Sequence, residues 1–310
     1  MKILCTGGAG FLGSILVPAL LQYESYEVVV LDTFCHKQNS LASCCANPDF
    51  EAVRGDARDI GLMKKLLAKA DVIIPLAAIV GAPACDADPT AAMTTNRDAI
   101  EALCALASPD QRIIIPITNS GYGIGEPGIE CTEDSPLRPV SLYGRTKVEA
   151  EKIALQRENT ISLRLATVFG MSPRMRTDLL ANDFVYRAIH DRAILLFESH
   201  FRRNFVHVRD VARAFIHAID HFADMRGKPY NVGLSEANIT KWELCERINK
   251  HIQFFFCDAP VGEDPDKRDC AVSYARLEAT GWKPAHSLDA GIIELKKGYE
   301  MIRNSAYGNV

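Results

Sequence analysis

Short apolar runs alternate with segments of helical spacing through the first half of the chain. Lys2 to Cys5 reads as a strand, Gly13 to Gln22 as a helix, and Val28 to Leu31 as a second, β-branched strand. Glu51 to Arg54 is a third short strand, Gly61 to Lys69 is helical, and Val72 to Leu76 is extended. Thr90 to Ala107 carries a long helical pattern, Arg112 to Ile117 is again extended, and Leu142 to Gln156 is helical before a strand at Ile161 to Leu165. This alternation predicts an α/β fold, a doubly wound parallel sheet covered by helices on both faces. Strands buried on both sides are expected to be apolar throughout, as Arg112-Ile-Ile-Ile is after its first residue.

Beyond Gly170 the pattern loosens. Met171 to Asp178 is rich in Arg, Pro and Met, and helices (Asp210 to His221, Lys241 to Ile252) mix with short strands (Asn204 to Val208, Tyr230 to Val232). The expectation is a first domain over 1–170, with returning segments near 204–234, and a smaller C-terminal substrate-binding lobe formed by 171–203 and 235–310.

Bulk properties narrow the function classes. The 310 residues are 48% hydrophobic and 24% charged, with a formal net charge of -4. That charge gives no global basic field, so no nucleic acid or membrane partner is expected. The apolar start resembles a signal peptide only until its glycines are noticed; strand, turn and helix explain it better, and a cytoplasmic protein is expected. The 10 cysteines include no Cys-x-x-Cys pair and no ligand-like cluster with histidine, so no metal site is expected.

The sharpest local feature is Thr6-Gly7-Gly8-Ala9-Gly10-Phe11-Leu12-Gly13, directly after the first strand. Glycines at this spacing allow a tight turn, let main chain approach a pyrophosphate, and let the following helix pack closely. The helix N-terminus then faces the anion. Asp32 ends the second strand, about 20 residues beyond the glycines, where a carboxylate accepts from both ribose hydroxyls. It would repel a 2′-phosphate, so NAD is expected over NADP. Asp56, after the third strand, and the small Ala77 and Ala78, after the fourth, lie where a doubly wound sheet presents its crevice. Asp56 also reads as a turn former or helix cap.

Tyr143 and Lys147 open a helical segment four residues apart, on one face. A phenol with a free pKa near 10 is a poor base at neutral pH. A neighbouring ammonium favours the phenolate, which can then take a hydroxyl proton while hydride leaves the carbon. Upstream, Thr118 and Ser120 place hydroxyls at the carboxyl end of the fifth strand, either to bond a substrate oxygen or to shape a turn.

Together these pieces resemble the extended short-chain dehydrogenase/reductase family, in particular its NAD-dependent sugar-nucleotide epimerases and dehydratases. The resemblance runs from Thr6 to Gly13 through Asp32, Gly55-Asp56, Leu76-Ala77-Ala78, Asn96, Thr118 to Gly123, Tyr143 to Lys147 and Arg164-Leu165. It continues through Arg203 to Asp210 and ends at Gly281-Trp282-Lys283-Pro284. It implies a Rossmann sheet, Tyr143 as general base, Lys147 on the nicotinamide ribose, Thr118 assisting, and Asn96 supporting the cofactor region. It implies a nucleotide-diphosphate sugar as substrate, with Ser120, Asn182 or Asp183, Arg203 and Arg268 lining its site. Arginine suits two phosphates, although a surface ion pair is the default for each one taken alone. The helices Thr90 to Ala107 and Leu142 to Gln156 resemble the pair that forms a homodimer interface in this family; their apolar faces could equally pack only on the sheet.

Two departures stand out. Where the dehydratases carry an acid after the hydroxyl residue, this chain has Asn119 and Ser120. Neither is a strong general acid, so epimerisation by transient C4 oxidation is expected. The alternatives are a 4-dehydrogenase, a 4,6-dehydratase using another acid, or a non-catalytic NAD(H)-sensing protein. Gly121 stands where valine is common, and is expected to make room for the sugar.

Overall fold

The computed structural model describes residues 1–37, 39–126, 128–262 and 269–302. Its centre is a seven-stranded parallel sheet of β1 (Lys2–Thr6), β2 (Glu27–Asp32), β3 (Phe50–Arg54), β4 (Val72–Pro75), β5 (Arg112–Thr118), β6 (Thr160–Leu165) and β7 (Lys228–Val232). The spatial order is β7-β6-β5-β4-β1-β2-β3. Crossovers run outward in both directions from β1, so the order reverses there. That reversal leaves a crevice at the carboxyl ends of the central strands, where ligands bind in open α/β sheets. Every strand pair is parallel, with Ile3 beside both Val28 and Val72, and Ile117 beside Arg164.

The sheet is apolar on both faces because both are covered. Ile3, Val28, Val30, Ile74 and Ile114 pack beneath the helices Gly13–Leu20 and Val208–Asp220. On the opposite face Leu4, Val29, Ile73, Ile113 and Ile115 meet Met63, Leu67, Ile100, Leu103 and Ala154 from three other helices. A third apolar cluster lies in the second lobe. There the helices Leu180–His190, Lys241–Asn249 and Leu288–Gly298 surround Phe169 and Phe205.

The long helical pattern from Thr90 is three pieces in space. α-Helix at Pro89–Met93 passes through a π-helical turn at Thr94–Asp98 into α-helix at Ala99–Leu106. Wide turns of this kind occur often at functional positions. The strand Arg202–His207 pairs with Thr167–Phe169 and Asn238–Thr240 in a separate small sheet. The helix from Val208 and strand β7 rejoin the first lobe, and Val272, Tyr274, Leu277 and Trp282 pack into its core as well. Among the described residues no helix is long and apolar enough to cross a membrane.

Two glycines fix how the first helix meets the sheet. Gly7 has φ +70°, and a Cβ on it would fall 2.5 Å from the Ala77 main-chain nitrogen. A Cβ on Gly13 would fall 2.4 Å from the Gly8 carbonyl oxygen, so the helix lies directly on its own entry loop. Those neighbours are main chain and cannot turn aside. We expect Gly13→Ala to destabilise the fold by about 1–3 kcal/mol in urea unfolding, the usual penalty of overpacking. Unchanged stability would contradict this close approach.

Candidate active site

Each parallel strand delivers its site residues at the same edge. The loop from Gly7 to Gly13 follows β1 and leads into the helix Gly13–Leu20. A side chain at Gly10 would meet only the Gly7 carbonyl, at 3.1 Å, so the main chain there is open to an approaching phosphate. Asp32 closes β2. Its carboxylate accepts from the Ala9 amide at 3.0 Å and the Phe34 amide at 2.8 Å, which holds it beside the glycine loop. A carboxylate has about four lone-pair sites, so two remain for ribose hydroxyls. Open main chain and a half-buried acid fit a dinucleotide, which Gly7, Gly10, Gly13 and Asp32 could hold.

Phe11 and Leu12 join the two lobes. The Phe11 carbonyl accepts from Ser172 Oγ at 2.7 Å, and its ring packs against the second-lobe cluster. Leu12 packs instead against the sheet's own core. Ser14 and Ser172 share a 2.7 Å hydroxyl–hydroxyl bond, and the Arg174 amide donates to Ser14 at 3.2 Å. Arg174 is 2% exposed. Burial, with Arg176 beside it, pulls its guanidinium below the ordinary value, while Asp32 opposes this. Sequence reasoning missed this junction; the Arg, Pro and Met of residues 171–178 were its only signal.

Asp56 follows β3, but its carboxylate is engaged by Arg58, with Nη2 at 2.6 Å and the Arg58 amide at 2.8 Å. It serves as a turn former here, and the bond to Arg58 holds it below the usual carboxylate range. Ala77 and Ala78 follow β4, half-buried. Asn96 acts on this loop from behind. Its amide oxygen accepts from the Ile79 amide at 2.8 Å, and Nδ2 donates to the Ile79 carbonyl at 2.9 Å and to Thr146 Oγ1 at 3.3 Å. One buried amide therefore ties the strand-end loop to the helix bearing Tyr143.

That helix, Leu142–Ala154, begins at Ser141, whose hydroxyl accepts from the Gly144 amide at 3.1 Å. Such a cap satisfies one of the otherwise unpaired first-turn amides. Tyr143 is half-buried, and Lys147 is 4% exposed. Burial lowers the Lys147 ammonium from its ordinary 10.5 to about 8, against the opposing attraction of Glu151 and the Cys85 thiol. Thr118 Oγ1 donates to Ser120 Oγ at 2.9 Å and accepts from the Ser120 amide at 3.1 Å. The helix start lies on this turn: a Cβ at Gly144 would come within 3.3 Å of the Ser120 carbonyl.

Two expectations for the sugar side, at Asn182 and Gly121, need correction. Asn182 is fully buried, with its amide engaged by the Gly170 N–H at 3.0 Å and the Arg176 carbonyl at 2.8 Å. It shapes the 170–176 segment and offers nothing to a ligand. The space beside Gly121 points away from the crevice, because a Cβ there would meet Val148 at 2.9 Å and Leu137 at 3.3 Å. Its smallness lets the turn pack on the Tyr143 helix and makes no room for a sugar. Asn119 is 1% exposed and donates to Asn204 Oδ1 at 3.3 Å, so it braces the second lobe.

Asp183 lies 3.7 Å from Arg187, and burial raises its carboxyl to about 6. Arg203 is buried on Arg202–His207, with Nη1 on the Arg202 carbonyl at 3.0 Å. Arg268 lies outside the described residues. The structure thus gathers the glycine loop, Asp32, Ala77, Ala78, Thr118, Ser120, Tyr143 and Lys147 at one sheet edge, with Asn96 behind them.

Comparison with known proteins agrees with this geometry. Residues 3–233 match the NAD dependent epimerase/dehydratase family. The low-salt glycan biosynthesis protein Agl12 of Haloferax volcanii is 29% identical over 94% of this chain and 96% of its own length. UDP-glucuronic acid decarboxylase 6 of Arabidopsis thaliana is 27% identical over 97% of this chain and 89% of its own. The crystal structure of UDP-glucuronic acid 4-epimerase from Bacillus cereus, in complex with UDP-glucuronic acid and NAD, superposes with a TM-score of 0.84. It is 25% identical and covers 98% of this chain and 100% of that one. The chain belongs to the NAD-dependent epimerase/dehydratase family.

Proposed function

We propose that this enzyme epimerises a nucleotide-diphosphate sugar by transient oxidation at sugar C4. The observation that carries the reading is the make-up of the β5 end. Thr118 and Ser120 pair their hydroxyls beside the start of the Tyr143–Lys147 helix, and the residues after Thr118 are Asn119, Ser120 and Gly121, with no carboxylate among them. Bound NAD supplies a hydride acceptor that can return what it takes.

The chain's own residues manage the proton. The Lys147 ammonium favours the Tyr143 phenolate, which takes the proton of the C4 hydroxyl. Thr118 and Ser120 already exchange a hydrogen bond, and either can bond the sugar oxygen as its charge changes. With no acid at residues 119–121 to assist loss of water, the 4-keto sugar keeps its other substituents. It turns, and Tyr143 returns the proton as the C4 hydroxyl is re-formed on the opposite face. Net 4-dehydrogenation is the same first half without the return. Asp183 and Arg203, together with Arg268, are the residues we assign to the nucleotide sugar. The family resemblance of Pro89–Leu106 and Leu142–Ala154 to a dimer-forming pair supports a homodimer, and sedimentation velocity giving a monomer would refute it. A cytoplasmic setting belongs to the same reading.

Tyr143→Phe is expected to lower kcat by about 10²- to 10⁴-fold, the usual contribution of a positioned acid–base group, while NAD stays bound. Turnover of UDP-glucose, UDP-glucuronic acid and dTDP-glucose, with products resolved by mass spectrometry and NMR, is the direct measurement. An isomer supports the reading; a dehydrated 6-deoxy-keto sugar overturns it. Asp32→Gly should relax the preference for NAD over NADP, read from the two dissociation constants. A wild-type enzyme that binds NADP more tightly would remove Asp32 from its role.

A further inference from the structure

One buried ion pair lies outside the groups assigned so far. Glu151 is 2% exposed and Arg164 is 5% exposed, on the helix Leu142–Ala154 and strand β6. Arg164 donates from Nε to both Glu151 oxygens, at 2.9 and 3.2 Å, and from Nη2 to Oε2 at 2.9 Å. Ser162 Oγ also donates to the same carboxylate. The other arm of the guanidinium points elsewhere. Nη1 donates to Tyr122 Oη at 2.9 Å and to the Glu133 carbonyl at 3.0 Å. Tyr122 in turn donates to Asn231 Oδ1 at 2.7 Å.

The elements joined by this one side chain matter. Glu151 stands one turn beyond Lys147 on the helix that carries Tyr143. Tyr122 closes the short 3₁₀ turn Asn119–Tyr122, which follows Thr118 and contains Ser120. A buried ion pair is weak evidence for stability, since apolar residues of equal volume often stabilise as well. A fork that fixes two catalytic segments against each other has a different use. We propose that Glu151 and Arg164 are a positioning pair: Arg164 registers the Tyr143–Lys147 helix against the Thr118–Ser120 turn, and Glu151 is the buried counter-charge to the Lys147 ammonium.

Among the described residues, Glu151 on its own helix is the charge that favours the Lys147 ammonium; the Cys85 thiol, from the helix Ala82–Ala87, is held neutral by burial, which raises it to about 11, and Tyr143 lies one turn back. Arg164 pairs with Glu151, so in this proposal it offsets part of that carboxylate's pull on Lys147. The pair's role in turnover rests on the C4-oxidation reading; its effect on Lys147 does not.

The test is an NMR titration of the NAD-loaded enzyme, isotope-labelled at lysine Cε, with the Lys147 signal assigned by its loss in Lys147→Met. Glu151→Gln should move the Lys147 midpoint down by about one pH unit, as expected for loss of a nearby opposite charge. Arg164→Met should move it up. If either single variant fails to fold, Glu151→Gln/Arg164→Met leaves neither charge unpaired. Its midpoint should fall below the parent's, by less than one unit. In turnover, the double variant should lose about 10- to 100-fold in kcat, as for slightly misplaced catalytic groups, with KM little changed, and Arg164→Lys should recover part of it. An unmoved midpoint in folded variants, or single variants that shift it in the same direction, overturns the proposal. If the parent turns over no sugar nucleotide, the C4 reading fails and the titration still decides the pair.

Discussion

Taking an ammonium out of water is unfavourable unless the site returns that free energy through opposite charge or hydrogen bonds. Lys147 sits almost wholly buried, and burial is the leading influence on it, bringing it to about 8. At neutral pH it is still charged, but held there by a small margin. A buried ammonium acts on nearby groups more strongly than one in water, because the low dielectric around it screens its field less. The remaining architecture can be understood as what keeps this charge in place: a capped helix under Tyr143, an asparagine tying that helix to the β4 loop, and a carboxylate one turn further on.

The parallel sheet makes the convergence possible. Because every strand runs the same way, the loops after β1, β2, β4 and β5 all open at one edge, and the crossovers beside β1 separate them into a crevice. The second lobe meets that edge beside the glycine loop. Ser14, Ser172 and Phe11 meet there, with Arg174 buried behind them. A displacement of the second lobe would therefore be felt at the loop suited to the pyrophosphate.

Much of this was legible in the chain. Strands such as Ile113–Ile117 are covered on both faces and so are written as unbroken apolar runs. The glycine loop was legible because its spacing answers to main-chain contacts at Ala77 and Gly8 that tolerate no Cβ. The second lobe was harder. The helix Leu180–His190 buries Ala181, Phe184, Val185 and Ala188 at helical spacing, but the Arg- and Pro-rich stretch before it masks the period. Short strands such as Ala193–Leu196 offer too few residues for alternation to show. Polar residues misled in both directions. Asn182 was expected at the ligand through the family resemblance, yet it is consumed by main chain. Glu151 drew no notice, and Arg164 entered only as part of the family resemblance, because charged residues default to the surface. Gly121 failed for a geometric reason: a sequence does not say which way a missing side chain points.

The central claim is that C4 of the sugar gives up a hydride while Tyr143 removes its hydroxyl proton. Rapid mixing of the NAD-loaded enzyme with whichever tested sugar nucleotide it converts, unlabelled or deuterated at C4, follows that step through reduced-nicotinamide absorbance. The account predicts a transient rise in absorbance that deuterium slows and Tyr143→Phe abolishes. Full conversion with no transient, and at the same rate for the deuterated sugar, would contradict it.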